Sequence, residues 1–234
     1  MGAIGICIIG ASGAGKSTSM RTLDPKSTYI INVQGKPLPF REGKEYVKVQ
    51  AGKSPSTGNM FCSDDVPTIL KVLRHVSEKM PNIKTIVVDD WQYCAANEYM
   101  RKVDVKGFDK FSQIGKAIWE MSRVSEDLRD DLIIYYLTHT EEVTDASGVR
   151  RLKAKTIGKM VDNVVTLEGM FTIGLLADVE MQLAEGKKVP WNHFVTQNSG
   201  DSTAKSPMGM FTDLKINNDL NTVTKTVREY YGVN

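Results

Sequence analysis

The sequence is poor in cysteine. Its 234 residues include only Cys7, Cys62 and Cys94, and no two of these form a C-x-x-C pair. An odd number of cysteines without metal-type spacing indicates neither a disulfide framework nor a cysteine-rich metal site. We therefore expect a reducing, cytoplasmic environment.

The sequence also lacks an excess of charge and long apolar runs. Its 30 basic residues almost balance 28 acidic ones, so the formal net charge is only +2 and any contact with nucleic acid must come from a local patch. No stretch approaches the roughly 20 apolar residues that a membrane helix needs, so we expect no contact with a membrane. The 41% hydrophobic content suits one folded domain over residues 1–234.

The apolar runs predict an α/β fold. Short buried strands are predicted at 4–9, 28–33, 85–88 and 132–137, with a further short strand at 46–49. Helical segments are predicted directly after the first turn, from 63–65 to Pro81, and at 92–103, 110–129, 156–167 and 220–231. Two late strands, 172–182 and 189–196, predict a hairpin. Strands that alternate with helices indicate a mainly parallel central sheet flanked by helices, with a C-terminal β-hairpin region.

One motif identifies the class of ligand. The turn after the first strand matches G-x-x-x-x-G-K-[ST] through Gly10, Ala11, Ser12, Gly13, Ala14, Gly15, Lys16 and Ser17, with Thr18 next. Glycines let backbone N–H groups surround an anion, and the helix that follows adds partial positive charge. Lys16 is expected to reach the β- and γ-phosphates, and the Ser17 hydroxyl to coordinate Mg²⁺. The motif therefore predicts a P-loop that binds ATP and Mg²⁺.

Two adjacent acids end the apolar strand at 85–88. An acid at the carboxyl end of a buried parallel strand lies beside the phosphate site, so Asp89 is expected to hold Mg²⁺ through water, the Walker-B role. Asp90 has two interpretations at this stage. It is either a second acid that orients water or a cap on the next helix.

The P-loop alone is compatible with several protein classes. The sequence has no N-K-x-D element and no L-S-G-G-Q-like signature, which argues against a GTPase and an ABC ATPase. A small-molecule kinase of the nucleotide type stays open, although the arginine-rich lid usual in such kinases is represented only by Arg150-Arg151. A nucleotide-binding switch with little turnover also stays open.

Three further segments resemble the RecA family. Residues 30–39 (IINVQGKPLP) resemble the end of the strand after its P-loop, and Thr138-His139 resembles its polar sensor beside the γ-phosphate. Together with residues 203–211, the whole chain resembles the small RecA-like ATPases of bacteriophages, a core-only branch of the recombinases linked to single-strand annealing. The resemblance implies a protein that hydrolyses ATP and acts on single-stranded DNA in phage recombination or replication. It also implies a homo-oligomer, a single-strand-binding protein as a further partner and a location in the host cytoplasm.

The resemblance also implies roles for individual residues. Gln34 stands where the family carries a catalytic glutamate. A glutamine positions water but cannot take its proton, so turnover would be slow unless another acid, such as Asp90, Glu42 or Glu45, substitutes. His139 would sense the γ-phosphate, or be an ordinary core histidine. Three late lysines would either reach the ATP of a neighbouring subunit or be plain surface residues: Lys187, Lys188 and Lys205.

A basic run follows the sensor strand, where RecA-like proteins place loops that bind DNA. Residues 150–159 contain five basic residues and no acid: Arg150, Arg151, Lys153, Lys155 and Lys159. They would contact the phosphates of single-stranded DNA without sequence preference. Alternatively, they form a solvated basic face, which is the usual role of a charge run.

Overall fold

A nine-stranded sheet organises the part of the chain that this computed structural model describes, residues 2–144, 148, 150–156, 166–184, 186–200 and 202–233. Its strands are β1 (Ile4–Gly10), β2 (Thr28–Asn32), β3 (Met60–Phe61), β4 (Thr85–Asp89), β5 (Ile133–Thr144), β6 (Arg150–Ala154), β7 (Ile173–Ala184), β8 (Lys187–Val195) and β9 (Lys215–Asn217). Their order across the sheet is β3-β2-β4-β5-β1-β7-β8-β9, and β6 pairs with the carboxyl-terminal part of β5.

The strands from β3 to β7 in this order are parallel, while β6, β8 and β9 pair antiparallel with their neighbours. The predicted α/β class, with a mainly parallel central sheet, flanking helices and a C-terminal hairpin region, is confirmed. Because β5 lies between β1 and β4, the carboxyl ends of these three strands meet at one edge. That edge is where ligands bind in parallel sheets.

Helices cover both faces of the sheet. They are α1 (Val66–Lys79), α2 (Gln92–Arg101), α3 (Asp109–Arg123) and α4 (Leu220–Tyr231). Alternate residues of β1 enter two cores: Cys7 and Ile9 pack with α1–α3, whereas Ile6 and Ile8 pack with α4. This burial on both faces explains why the parallel strands are continuous apolar runs.

The helix ends follow the capping residues. The Asp65 carboxylate accepts the N–H of Thr68 at 3.0 Å at the start of α1. Gly232, with φ of 64°, adopts the left-handed conformation that commonly ends a helix such as α4. No helix within the described residues is long and apolar enough to cross a membrane.

Three local predictions differ from the structure. The segment after the P-loop is a 3₁₀ helix, Ser17–Thr22, which Leu23 separates from Asp24-Pro25. The segment 46–49 makes only an isolated bridge, between Lys48 and Met60, because glycine- and proline-rich turns on both sides leave no room for a longer ladder. The helix predicted over 110–129 ends at Arg123 and continues as the 3₁₀ turn Val124–Asp127. Most of the helix predicted over 156–167 lies outside the described residues.

Candidate nucleotide-binding site

The P-loop lies at the carboxyl edge of the sheet because β1 ends there. Gly10 is paired with His139 of β5 on one side and with Ala177 of β7 on the other. A Cβ atom on Gly10 would lie 2.7 Å from the Ala177 carbonyl oxygen, so this position requires glycine. Gly15 has a φ of 87° and lies close to the Asn192 amide, and it too tolerates no side chain.

The P-loop borders a cavity of about 290 Å³ at this edge. Its side of the cavity consists of Ser12, Gly13, Gly15, Lys16, Ser17 and Thr18, whereas Ala14 is buried in the core on the α4 face. The opposite side includes the ends of β2 and β4 and His139 in the middle of β5. A glycine-rich loop that faces the ends of parallel strands is the arrangement that a nucleoside triphosphate requires.

Lys16 is folded over its own loop. Only 5% of the residue is exposed, and its Nζ donates hydrogen bonds to the carbonyl oxygens of Gly10 at 2.8 Å and Ala11 at 2.9 Å. Burial lowers the pKa of Lys16, although the charges of Asp90 and Asp89 oppose that shift. The ammonium group therefore lies within the P-loop, where it can exchange carbonyl oxygens for phosphate oxygens.

Ser17 and Asp89 meet across the cavity. The Ser17 Oγ donates a hydrogen bond to Asp89 Oδ1 at 2.8 Å, and Asp89 is only 7% exposed. Burial and the neighbouring Asp90 charge raise the pKa of Asp89 to about 6, against the effects of Ser17, Lys16 and Lys36. A hydroxyl and a carboxylate are the oxygen ligands that Mg²⁺ prefers. The two residues thus fit the metal site predicted from the sequence.

Asp90 directs its carboxylate into the same cavity. Its φ of 61° is unusual for a residue other than glycine, and such strain is typical of functional positions. Oδ1 lies 3.4 Å from His139 Nε2, and Oδ2 lies 3.6 Å from Lys36 Nζ. Burial raises the pKa of Asp90, but the hydrogen bond from His139 and the charges of His139, Lys36 and Lys16 outweigh it and hold the pKa below its usual range.

His139 lines the cavity and is not a core residue. Its register position opposite Gly10 places it beside the P-loop, and its side chain is partly exposed. The ring of Tyr93 packs edge-on against the imidazole, with 6.1 Å between ring centroids. The second histidine at a strand end, His193, lies on β8 and stacks on Trp191.

At the end of β2, Asn32 lines the cavity. Gln34 is not one of the described residues that line it. Asn32 is paired with Asp89, is 3% exposed, and donates a hydrogen bond to the Lys36 carbonyl oxygen at 2.7 Å. Gln34 lies two residues further on, in the turn. The sequence analysis missed Asn32 and Lys36, although a polar residue at the end of a buried strand was a signal for Asn32.

The first part of the basic run, Arg150–Ala154, forms β6, the second strand of the β5–β6 hairpin. Lys153 Nζ lies 3.1 Å from Glu141 Oε1, and Arg150 Nη1 lies 3.4 Å from Glu142 Oε1. Arg151 and Lys155 are exposed, and Lys159 lies outside the described residues. Two acids on β5 therefore face a run that contains no acid of its own.

The three late lysines lie apart from the cavity. Lys187 and Lys188 are exposed at the start of β8, at the tip of the β7–β8 hairpin. The backbone of Lys205 pairs with Gly174 of β7, and its charge acts on the buried Cys7. Within the described residues, none of the three contributes to the cavity wall.

Comparisons with known proteins complete the description of the site. No protein-family model matches the chain, and no curated protein is detectably similar to it in sequence. A KaiC-like protein from the archaeon Pyrococcus horikoshii OT3 is similar in structure, with a TM-score of 0.47, 13% identity and coverage of 82% of this chain and 78% of that one. The flagellar accessory protein FlaH from Methanocaldococcus jannaschii gives a TM-score of 0.44, 12% identity and coverage of 92% and 84%. Assignment to the P-loop nucleotide-binding class rests on the motif and on Lys16, Ser17 and Asp89.

Proposed function

We propose that the chain is a Mg²⁺-dependent RecA-like ATPase that acts on single-stranded DNA in phage recombination or replication, in the host cytoplasm. The hydrogen bond between Ser17 and Asp89, beside the buried Lys16, carries the ATPase part of this proposal. It brings a metal-type oxygen pair and a phosphate-binding lysine together in one cavity. Bound Mg²⁺ would neutralise charge on the β- and γ-phosphate oxygens.

Asp90 is the acid that the geometry favours for activating water. In the proposed reaction, water attacks the γ-phosphorus, the bond from that phosphorus to the β–γ bridging oxygen breaks, and ADP leaves. The proton of the attacking water passes to Asp90 and then to solvent. His139 and Lys36 hold the carboxylate ionised and point it into the cavity.

The β5–β6 hairpin supports the DNA-directed part of the proposal. The hairpin displays four cations, Arg150, Arg151, Lys153 and Lys155, against the two carboxylates on β5. The Lys155 N–H also donates a hydrogen bond to the His139 carbonyl oxygen at 2.7 Å. A change at His139 caused by the γ-phosphate would therefore reach the hairpin through one backbone contact. Homo-oligomerisation, a single-strand-binding partner, and contact of Lys187, Lys188 or Lys205 with a neighbour's nucleotide belong to the same proposal.

Measuring phosphate release from ATP with and without single-stranded DNA tests this proposal. Stimulation by DNA, absent in Lys16→Ala, is the expected result. Transfer of labelled γ-phosphate to a nucleoside monophosphate would instead support a kinase. Tight ATP binding with no release under either condition would support a switch.

A further inference from the structure

Lys36 is built into the cavity wall by the turn that follows β2. The buried Asn32 amide holds the Lys36 carbonyl oxygen at 2.7 Å, and the Gly35 N–H donates to the Asn32 carbonyl oxygen at 3.3 Å. Gly35 has a φ of 63°, the left-handed conformation that glycine adopts without strain. Pro37 and Pro39 restrict the chain that follows, and both line the cavity. These constraints direct the Lys36 side chain across the cavity toward Asp90.

The Lys36 side chain is in place but loosely held. Its Nζ lies 3.6 Å from Asp90 Oδ2, longer than the roughly 2.7–2.9 Å of a charge-assisted hydrogen bond. It also lies 5.4 Å from the centre of the Tyr93 ring, and 62% of the side chain is exposed. An ammonium group held in this way can move to a new anion at little cost.

The charges in the cavity favour a second cationic side chain beside the γ-phosphate. Asp89 and Asp90 contribute two carboxylates, while Lys16 is buried and hydrogen-bonded to its own loop. With Mg²⁺ at Asp89, as proposed above, a γ-phosphate that enters this space still meets the Asp90 carboxylate at close range, and like charges repel strongly at low dielectric. Lys36 is the further lysine in the cavity wall, among the residues that the structure describes.

We propose that Lys36 binds the γ-phosphate of the nucleotide in its own subunit and stabilises the charge that develops there during hydrolysis. This inference rests on the proposed ATPase function and adds to it a residue that acts in cis. An arginine finger supplied by the same chain has the corresponding role in some NTPases. In this arrangement Lys36 leaves Asp90 when the triphosphate enters, which frees that carboxylate for the attacking water.

The first test compares ADP with the non-hydrolysable β,γ-imido analogue of ATP, both measured by calorimetry with Mg²⁺. Lys36→Met should weaken binding of the triphosphate analogue about tenfold and leave ADP affinity within about twofold, since only the former carries a γ-phosphate. Lys36→Arg keeps the charge and should retain the preference for the triphosphate. Lys44→Met, which removes an exposed lysine of the same connection away from the cavity, is the matched control.

The second test mixes two variants and measures ATP turnover. Lys36→Met alone should lower kcat by at least about 100-fold. Subunits with Lys16→Ala bind nucleotide poorly but still carry Lys36. If Lys36 acts in cis, adding them to Lys36→Met subunits restores no turnover. Restored turnover would show that Lys36 acts on a neighbour's nucleotide and would overturn the proposal.

Two other outcomes also overturn it. Equal loss of affinity for both nucleotides in Lys36→Met would mean that the residue only shapes the turn. Unchanged affinity together with unchanged kcat would mean that it is a surface lysine. A wild-type protein that binds ADP and the triphosphate analogue but does not hydrolyse ATP refutes the ATPase function, and the affinity comparison still tests γ-phosphate binding by Lys36.

Discussion

The Ser17 hydroxyl donates a hydrogen bond to Asp89 Oδ1 at 2.8 Å, although the two residues are 72 positions apart in the chain. This contact joins the phosphate-binding loop to the end of β4. Neither residue alone makes a metal site, because a strand often ends in an aspartate and a loop often contains a serine. Their contact beside Lys16 distinguishes a nucleotide site from a chance match to a motif.

Replacement of Asp89 should remove most of the dependence of ATP binding on Mg²⁺. In the wild type we expect chelation of Mg²⁺ to weaken ATP binding, because the metal links phosphate oxygens to Ser17 and Asp89. Asp89→Asn should reduce the ratio of the ATP affinities with and without Mg²⁺ by about tenfold, which is the loss expected for one charged ligand interaction. Calorimetric titrations with Mg²⁺ and with EDTA measure the difference, with Asp104→Asn as an exposed control. An undiminished difference in Asp89→Asn would place the metal elsewhere.

Replacement of Lys16 should separate binding from folding. Lys16→Ala removes a charge-assisted contact to phosphate, so ATP affinity should fall by about 10- to 200-fold. The variant also loses the hydrogen bonds to Gly10 and Ala11, which should lower the free energy of unfolding by only about 1 kcal/mol. Titration with ATP measures the affinity, and denaturation in urea measures the free energy of unfolding. Wild-type affinity in a folded variant would refute the site.

Two substitutions distinguish Asp90 from Gln34 as the residue that activates water. If Gln34 occupied that position, Gln34→Glu would raise turnover. Because Asn32 lines the cavity and Gln34 does not, we expect Gln34→Glu to change kcat by less than about twofold. Asp90→Asn should lower kcat about 100-fold or more, the contribution typical of a general base. A faster Gln34→Glu variant would move the base to the turn after β2.

The sequence was sufficient to predict the parts of the site that depend on local spacing. The P-loop is one continuous motif, and Asp89 directly follows a run of buried residues, so neither requires knowledge of a distant contact. The strand positions are equally local, because a parallel strand covered on both faces is a short apolar run. The same local information placed His139 directly after the apolar part of β5, although β5 itself continues to Thr144.

The remaining parts depend on pairing between distant segments. Lys36 enters the cavity because Gly35 turns the chain and β2 lies beside β4, and neither fact follows from residues 30–39 alone. The acids that oppose the basic run lie on another strand, and only the β5–β6 register places Glu141 beside Lys153. Register errors of one residue would move each side chain to the other face.

The opposite edge of the sheet provides a test of stability against pH. Asp131 accepts hydrogen bonds from Lys84 and, at 2.6 Å, from Arg129, which also donates to the Ser77 carbonyl oxygen at the end of α1. Burial raises the pKa of Asp131, but these contacts outweigh it, so the pKa lies below the ordinary value of 3.8. A depressed pKa stabilises the fold above the unfolded-state pKa, and this stability is lost as the pH falls through the folded-state pKa.

Asp131→Asn should therefore lower the free energy of unfolding by about 1 kcal/mol at neutral pH, a figure discounted for partial exposure. As the pH falls from about 5 past 3.8 and then through the lower folded-state pKa, the wild type should lose more stability than the variant, because only the wild type carries this carboxylate. Urea denaturation at several pH values measures how the free energy of unfolding of the wild type and of the variant depends on pH. Parallel pH profiles would show that Asp131 does not contribute to acid sensitivity.

The β5–β6 hairpin should bind single-stranded DNA through phosphates, with an affinity that its own acids limit. Each phosphate neutralised contributes about −0.7 to the slope of log K against log salt, so four engaged cations would give a slope of about −3. Replacing Arg150, Arg151, Lys153 and Lys155 with alanine should flatten this slope, weaken binding to all sequences alike and leave ATP affinity unchanged. Glu141→Gln with Glu142→Gln should have the opposite effect, because this double variant removes the negative charges beside Lys153 and Arg150. Salt titrations of DNA binding measure this slope for the wild type and for both variants. Equal slopes in all three proteins would identify the run as a solvated face of the hairpin and would remove the structural support for a DNA-directed function.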